Sequence, residues 1–379
     1  MQEKNIMISA GEASGDMHAA NLVQKVKRIA PNVRFYGMGA NLMRNAGVDI
    51  IVDANDLSII GLLEIVTKFA KIHQAFQIME NALRQNKPDL LILVDYPGFN
   101  LRLAKVAKKT GIKVLYFISP KVWAWNQGRV AIIKKYVDMM AVIFPFEVDF
   151  YKKWQVPVTF VGNPLLEIVK PKLTRATAQQ AFNLDPNCKT IGLFPGSRKS
   201  EIKRLLPIML EATKLLKNQN PSLQFILPQA SSITINELQP FLHSSSVEVR
   251  VIKDQNYDVM QVCDAIIAAS GTVTLEIAIM AIPLVLIYKT SWLEYQVAKL
   301  VIKIPCIGLC NILAGRKIVQ ELLQQDATPE NIAKEIGKIL NDSHYREEMI
   351  DNLTAIKSSL KTNTHKNIAQ LVIEMANLQ

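Results

Sequence analysis

The chain has 379 residues, of which 49% are hydrophobic and 20% charged; it is long enough for two domains and too apolar for a mainly disordered protein. Four cysteines exclude a disulfide scaffold and suit a reducing cytoplasm. The formal net charge of +11 is uneven: residues 1–165 hold 21 Lys and Arg against 13 Asp and Glu, so an anionic partner (phosphate, membrane surface or nucleic acid) is expected for the first half.

In chain order, apolar runs at 5–10, 90–95, 113–118 and 139–144 read as buried strands, with helices at 17–29, 72–85 and 101–109 between them. Residues 1–16 show no basic region before an apolar core, so no signal peptide is expected. After Gly162-Asn163-Pro164 the rhythm restarts, with strands at 190–194, 224–227, 247–251, 265–268 and 284–287 and helices at 201–217 and 273–280. Alternation of this length implies βαβ units and parallel sheets. The expected fold class is α/β: two doubly wound Rossmann-like domains facing a cleft, with ligands at the carboxyl ends of the strands. The boundaries read as 1–165, 166–344 and a C-terminal helical segment 345–379. Residues 265–288 are the one transmembrane candidate, but Ser270-Gly271-Thr272, Glu276 and Pro283 interrupt it as a buried strand, turn, helix and strand would.

Three turns share one design: apolar strand, glycine loop, helix start. In the first, Gly11, Glu12, Ser14, Gly15 and Asp16 either present helix amides to an anion or hydroxyl or form a plain tight turn with Asp16 as a cap. The spacing matches neither the dinucleotide fingerprint nor the Walker loop. In the second, Gly196, Ser197 and Arg198 suit a diphosphate, because amides, helix dipole and guanidinium all favour it; a solvated arginine beside a capped helix is the bland alternative. In the third, Glu276 lies one helical turn beyond Ser270-Gly271-Thr272 in an apolar stretch, where sugar or ribose hydroxyls are ordinary partners.

Asp95 ends a buried apolar run before Pro97 and Gly98, which makes it the candidate general base, with a turn or cap carboxylate as the alternative. Trp123 and Trp125 stand beside Lys121 and Arg129, placed to stack on a sugar, anchor at an interface or simply pack. The five histidines are scattered and Cys306-x-x-x-Cys310 lacks a second pair, so neither a metal nor another cofactor is expected. No nucleic-acid motif accompanies the charge, and nucleic acid is disfavoured. Over 57–72, Ile59, Leu62, Leu63, Val66 and Phe69 form a stripe edged by Lys68 and Lys71. It suits either an interfacial helix on an anionic leaflet or packing against the sheet.

Taken together and in this order, these segments resemble the lipid-A-disaccharide synthase family along essentially the whole chain. The resemblance rests on residues 9–16, Asp95 with Pro97, Phe99 and Asn100, and residues 119–125. Pro145-Phe146-Glu147, Pro195-Gly196-Ser197-Arg198, Ser270-Gly271-Thr272 with Glu276, and Asn311 with the residues to Gly315 continue it. It implies the GT-B fold, no metal, and transfer of 2,3-diacylglucosamine from UDP-2,3-diacylglucosamine to the 6-hydroxyl of 2,3-diacylglucosamine 1-phosphate. It further implies that Asp95 and Arg198 are needed for activity, that Asn311 belongs with the donor-side groups and Trp123 with the acceptor side, and that the enzyme sits peripherally on the inner face of the cytoplasmic membrane. Two departures stand out: Asn163 replaces the family's usual histidine, and Gly98 stands where relatives often carry a second aspartate. The rival readings are a UDP-N-acetylglucosamine epimerase or the peptidoglycan N-acetylglucosaminyltransferase on the same fold, and a non-catalytic anionic-lipid-binding protein. A homodimer is left open.

Overall fold

The structure is a computed structural model that describes residues 4–57, 64–124, 127–291, 295–296, 305–362 and 367–378. It divides into two compact units, Met1–Pro164 with Thr362–Gln379, and Leu165–Lys361.

The first unit is built on seven parallel strands: β1 (Asn5–Ala10), β2 (Arg34–Gly39), β3 (Val48–Asp53), β4 (Leu90–Val94), β5 (Val114–Phe117), β6 (Met139–Val142) and β7 (Val158–Phe160). Their order is β3-β2-β1-β4-β5-β6-β7, so the winding reverses between β1 and β4. Ala10 lies opposite Val94, and the loops carrying Gly11 and Asp95 therefore leave the sheet side by side. That crevice is where doubly wound sheets bind ligands. The central strands are continuous apolar runs because helices cover both faces; Leu90 to Val94 are all fully buried.

The second unit repeats the plan with six strands: β8 (Thr190–Phe194), β9 (Gln224–Gln229), β10 (Arg250–Lys253), β11 (Ala265–Ala269), β12 (Leu284–Tyr288) and β13 (Glu321–Leu323), in the order β10-β9-β8-β11-β12-β13. Here the reversal falls between β8 and β11, where Phe194 pairs with Ala268, and the turns beginning at Pro195 and Ser270 emerge together.

As expected, the run 265–288 is strand β11, the helix Thr272–Ile279 and strand β12, and no helix among the described residues is long and apolar enough to cross a membrane. Other expectations are corrected. The strand read at 247–251 lies at Arg250–Lys253. β2 was not foreseen because two glycines break its apolar run. Gly37, at φ +148° beside a register shift, brings its backbone so close to β1 that a Cβ would sit 2.0 Å from the Ile8 carbonyl oxygen. The segment read as a single helical tail, 345–379, is divided. The helix Ser343–Ser359 belongs to the second unit, whereas Ile368–Ala376 returns to the first and packs on the helix Ala13–Ile29.

Candidate active site

Asp95 and Tyr96 follow β4 with φ +46° each, two successive non-glycine residues in the left-handed region. Such a pair costs energy and persists only where its surroundings fix it. Three groups do so here. The Asn100 side-chain amide donates to the carbonyls of Asp95 at 2.8 Å and Val94 at 3.2 Å, and the Tyr116 hydroxyl donates to the Asp95 carbonyl at 2.5 Å. Ser9, at the end of β1, donates to the Asn100 carbonyl oxygen at 2.6 Å and so ties the two central strands to the turn. Pro97 then starts the helix Pro97–Lys109, with its missing N–H at the position where none is needed.

These bonds hold the Asp95 backbone and leave the carboxylate for chemistry. Burial is the main force on it, and the neighbouring Glu12 charge adds to it; the Tyr96 amide and Lys121 pull the other way. The result is a carboxyl group raised to about 6, ionised at neutral pH yet more basic than a surface aspartate.

The 11–16 turn splits into two kinds of residue. Glu12 and Ser14 are exposed at the crevice, Gly11 and Gly15 are buried, and a Cβ on Gly11 would fall 2.2 Å from the Tyr96 ring. Asp16 is engaged within the protein. It is 3% exposed, and its carboxylate accepts from the amides of Ala40 at 2.6 Å, Leu42 at 2.9 Å and Met43 at 3.3 Å. It therefore caps the helix Asn41–Asn45, a different helix from its own.

Trp123 donates Nε1 to Glu147 at 3.1 Å and packs edge-on against Phe146, with ring centroids 4.9 Å apart. Trp125 lies outside the described residues. Glu147 is 1% exposed, and burial pushes its carboxyl up to about 8. In the sequence Glu147 stands out only as part of the Pro145-Phe146-Glu147 segment; nothing in its spacing signals burial beneath a tryptophan. Asn163, in the histidine's place, is 4% exposed and donates to the Ile143 carbonyl at 3.3 Å. A side chain at Gly98 would meet nothing within 4 Å, so an aspartate there would fit.

In the second unit, Gly196 adopts φ +107° and Arg198 begins the helix Lys199–Gln219 with its side chain 81% exposed. The amides of Ser197 and Arg198, expected to face a phosphate, donate instead to Glu201 at 3.0 and 3.2 Å. The same carboxylate lies 3.7 Å from the Arg198 guanidinium. Those two amides are thus occupied within the turn, while the Arg198 side chain stays exposed. Ser270, Gly271 and Thr272 open the helix Thr272–Ile279, pinned by the Thr274 hydroxyl donating to the Gly271 carbonyl at 2.8 Å. Glu276 is half-buried, burial raises its carboxyl to about 7, and its charge bears on the half-buried Tyr257.

Asn311 turns inward. It is 1% exposed, donates to the Val319 carbonyl at 3.0 Å and Glu321 at 2.8 Å, and accepts from the amides of Ile318 and Val319 at 2.8 and 3.0 Å. Every polar position of its side chain is occupied, so it shapes the loop before β13. Among the described residues no cluster of three His, Cys, Asp or Glu could hold a metal ion. Of the proposed membrane stripe, Ile59, Leu62 and Leu63 lie outside the described residues, and so do the side chains of Val66, Lys68 and Phe69. Lys71 is exposed on the helix Glu64–Asn86.

The fold has solved counterparts. It is similar to UDP-GlcNAc 2-epimerase from Neisseria meningitidis bound to UDP-GlcNAc (TM-score 0.65, 15% identity, 99% of this chain and 100% of that one). It is also similar to CalG4, the calicheamicin glycosyltransferase (TM-score 0.62, 14% identity, 100% and 98%). Two parallel sheets with flanking helices, each wound outward from a central switch point, place the chain in the GT-B class of architecture. Within that class, the profile of the lipid-A-disaccharide synthetase family matches residues 6–375. The lipid-A-disaccharide synthase of Geobacter metallireducens is 50% identical over 373 residues, 98% of this chain and 97% of that one. The chain belongs to the lipid-A-disaccharide synthetase family.

Proposed function

We propose that this glycosyltransferase of lipid A biosynthesis works by an inverting, metal-independent displacement in which Asp95 is the general base and Arg198 holds the leaving UDP. The donor is UDP-2,3-diacylglucosamine and the acceptor 2,3-diacylglucosamine 1-phosphate. The Asp95 carboxylate takes the proton of the acceptor 6-hydroxyl as its oxygen attacks the anomeric carbon. The bond from that carbon to the diphosphate breaks, and its electron pair leaves with UDP. The product is the β-1,6-linked disaccharide 1-phosphate.

The observation that carries this reading is the Asp95 turn: a left-handed corner at a switch point, held by hydrogen bonds from Asn100 and Tyr116 and bearing a carboxylate raised to about 6. A base is most effective when its pKa approaches the working pH, and such a group contributes roughly 10²–10⁴ in rate. Charge developing on the diphosphate is met by the Arg198 guanidinium, which grips two oxygens at once, and by the helix dipole behind Gly196 and Ser197. Ser270, Gly271, Thr272 and Glu276 serve the nucleotide-sugar hydroxyls. In this reading the acceptor binds the first unit and the donor the second.

The substrates favour work at a membrane surface. Each acyl methylene drawn from lipid costs ~0.8 kcal/mol, so exposing one long chain costs on the order of 10 kcal/mol. The basic first half suits an anionic leaflet on the cytoplasmic side.

UDP release measured with donor alone, acceptor alone and both together, in EDTA, tests the proposal. Release is expected only with both sugars, undiminished by chelation, and with a β-linked product by NMR. Consumption of the UDP-sugar without acceptor, strict dependence on Mg²⁺, or an α-linked product would overturn it.

A further inference from the structure

The loop that follows β5 is tied down at two points one helical turn apart. Ser119 shares a hydrogen bond of 2.7 Å with the Tyr151 hydroxyl, and Trp123 donates to Glu147 at 3.1 Å. Glu147 and Tyr151 stand four residues apart on the helix Pro145–Lys153 and so share one face. They are 1% and 0% exposed. Capping that helix needs only the Glu147 oxygen that accepts from the Phe144 amide at 3.2 Å. The other oxygen is committed to Trp123.

Between the two ties lie Pro120, Lys121 and Val122. Pro120 and Val122 are buried, and Lys121 is exposed. β4 and β5 are neighbours, with Val94 opposite Phe117, and the Asp95 amide donates to the Phe117 carbonyl at 3.3 Å. The tied loop therefore rises from the sheet edge beside Asp95. Two charged side chains bear on the Asp95 carboxylate: Glu12 from the turn after β1, which opposes its ionisation, and Lys121, which favours it. The uncharged groups packed there are Tyr96 and Tyr116.

We propose that Lys121 is a positioning residue for the reaction: the Ser119–Tyr151 and Trp123–Glu147 ties hold the loop that carries it beside Asp95, where its positive charge offsets the like charge of Glu12. This rests on Asp95 as the base. Without Lys121 the two carboxylates face each other unopposed, and Asp95 keeps its proton to higher pH. Glu147 faces Trp123, Ser119 and the backbone around Ile143 and Phe144, with no cation among the groups that bear on it, so burial keeps it a neutral hydrogen-bonding pin at neutral pH.

The test compares wild type, Lys121→Met, Trp123→Phe and the double variant by two readouts. One is the carboxyl ¹³C titration of Asp95, assigned with Asp95→Asn; the other is the acid limb of kcat/KM. Lys121→Met changes an exposed side chain, and Trp123→Phe keeps a ring against Phe146 while removing the donor. Both single variants are expected to move the Asp95 titration up by about 0.5–1 in pH, and the double variant no further than Lys121→Met alone. An unmoved titration in Lys121→Met overturns the proposal. A shift in Lys121→Met with none in Trp123→Phe overturns the role of the ties. Should the NMR titration move while the kinetic limb stays, Lys121 does set the charge of Asp95 and the assignment of Asp95 as base is what fails.

Discussion

The Tyr96 ring occupies the space that a side chain on residue 11 would need: its nearest carbons lie 2.2–2.6 Å from where a Cβ on Gly11 would stand. The two loops of the first switch point are thus fitted to each other. Gly11→Ala must displace the ring, and overpacking of this kind costs about 1–3 kcal/mol. Denaturant unfolding is expected to show that loss, together with a fall in kcat. Tyr96→Ala in the same chain should return stability toward that of Tyr96→Ala alone without restoring activity.

Asp95→Asn keeps the shape and hydrogen-bonding size of the side chain but removes the base. A fall in kcat of roughly 10²–10⁴ is expected, with a circular-dichroism melt close to that of wild type. In wild type the carboxylate works only when ionised, so kcat/KM should fall as pH drops through about 6. A limb near 4 would mean that burial does not tune this group.

Glu147 gives a pH signature of a different sort. Its folded pKa is about 8 against an ordinary 4.5, so in the window between them the folded chain holds a proton that the unfolded chain has lost. Stability linked to this group is full below pH 4.5 and declines as pH rises to about 8. Asp95, raised to about 6, acts with the same sign but is largely spent by pH 7; Glu276, raised to about 7, still adds a smaller share above it, and His18, lowered to about 4, acts oppositely only below 6.5. Thermal midpoints should therefore fall between pH 7 and 8 in wild type, and Glu147→Gln should flatten that slope.

What the sequence made legible was whatever chemistry is local. Apolar strand, glycine corner and helix start recur at Gly11, Gly196 and Gly271, and a carboxylate at a strand end is visible at Asp95, because each is written within a few adjacent residues. Where the partner lies far along the chain, no periodicity records it. Asp16 caps a helix through Ala40, 24 residues on, and Trp123 meets Glu147 at the same separation. Asn311, read with the donor-side groups, is consumed by Val319 and Glu321. Glu201 illustrates a third case. Its spacing from Arg198 is that of an ordinary capping acid, yet in that role it takes the very amides a phosphate would use.

The division of labour between the two turns is tested most directly by calorimetric titration of UDP into wild type, Arg198→Ala and Asp95→Asn. Binding is expected to be lost or weakened at least about tenfold in Arg198→Ala, as removal of a charge-assisted pair implies, and to be unchanged in Asp95→Asn. UDP binding that survives Arg198→Ala intact but disappears in Asp95→Asn would contradict the account.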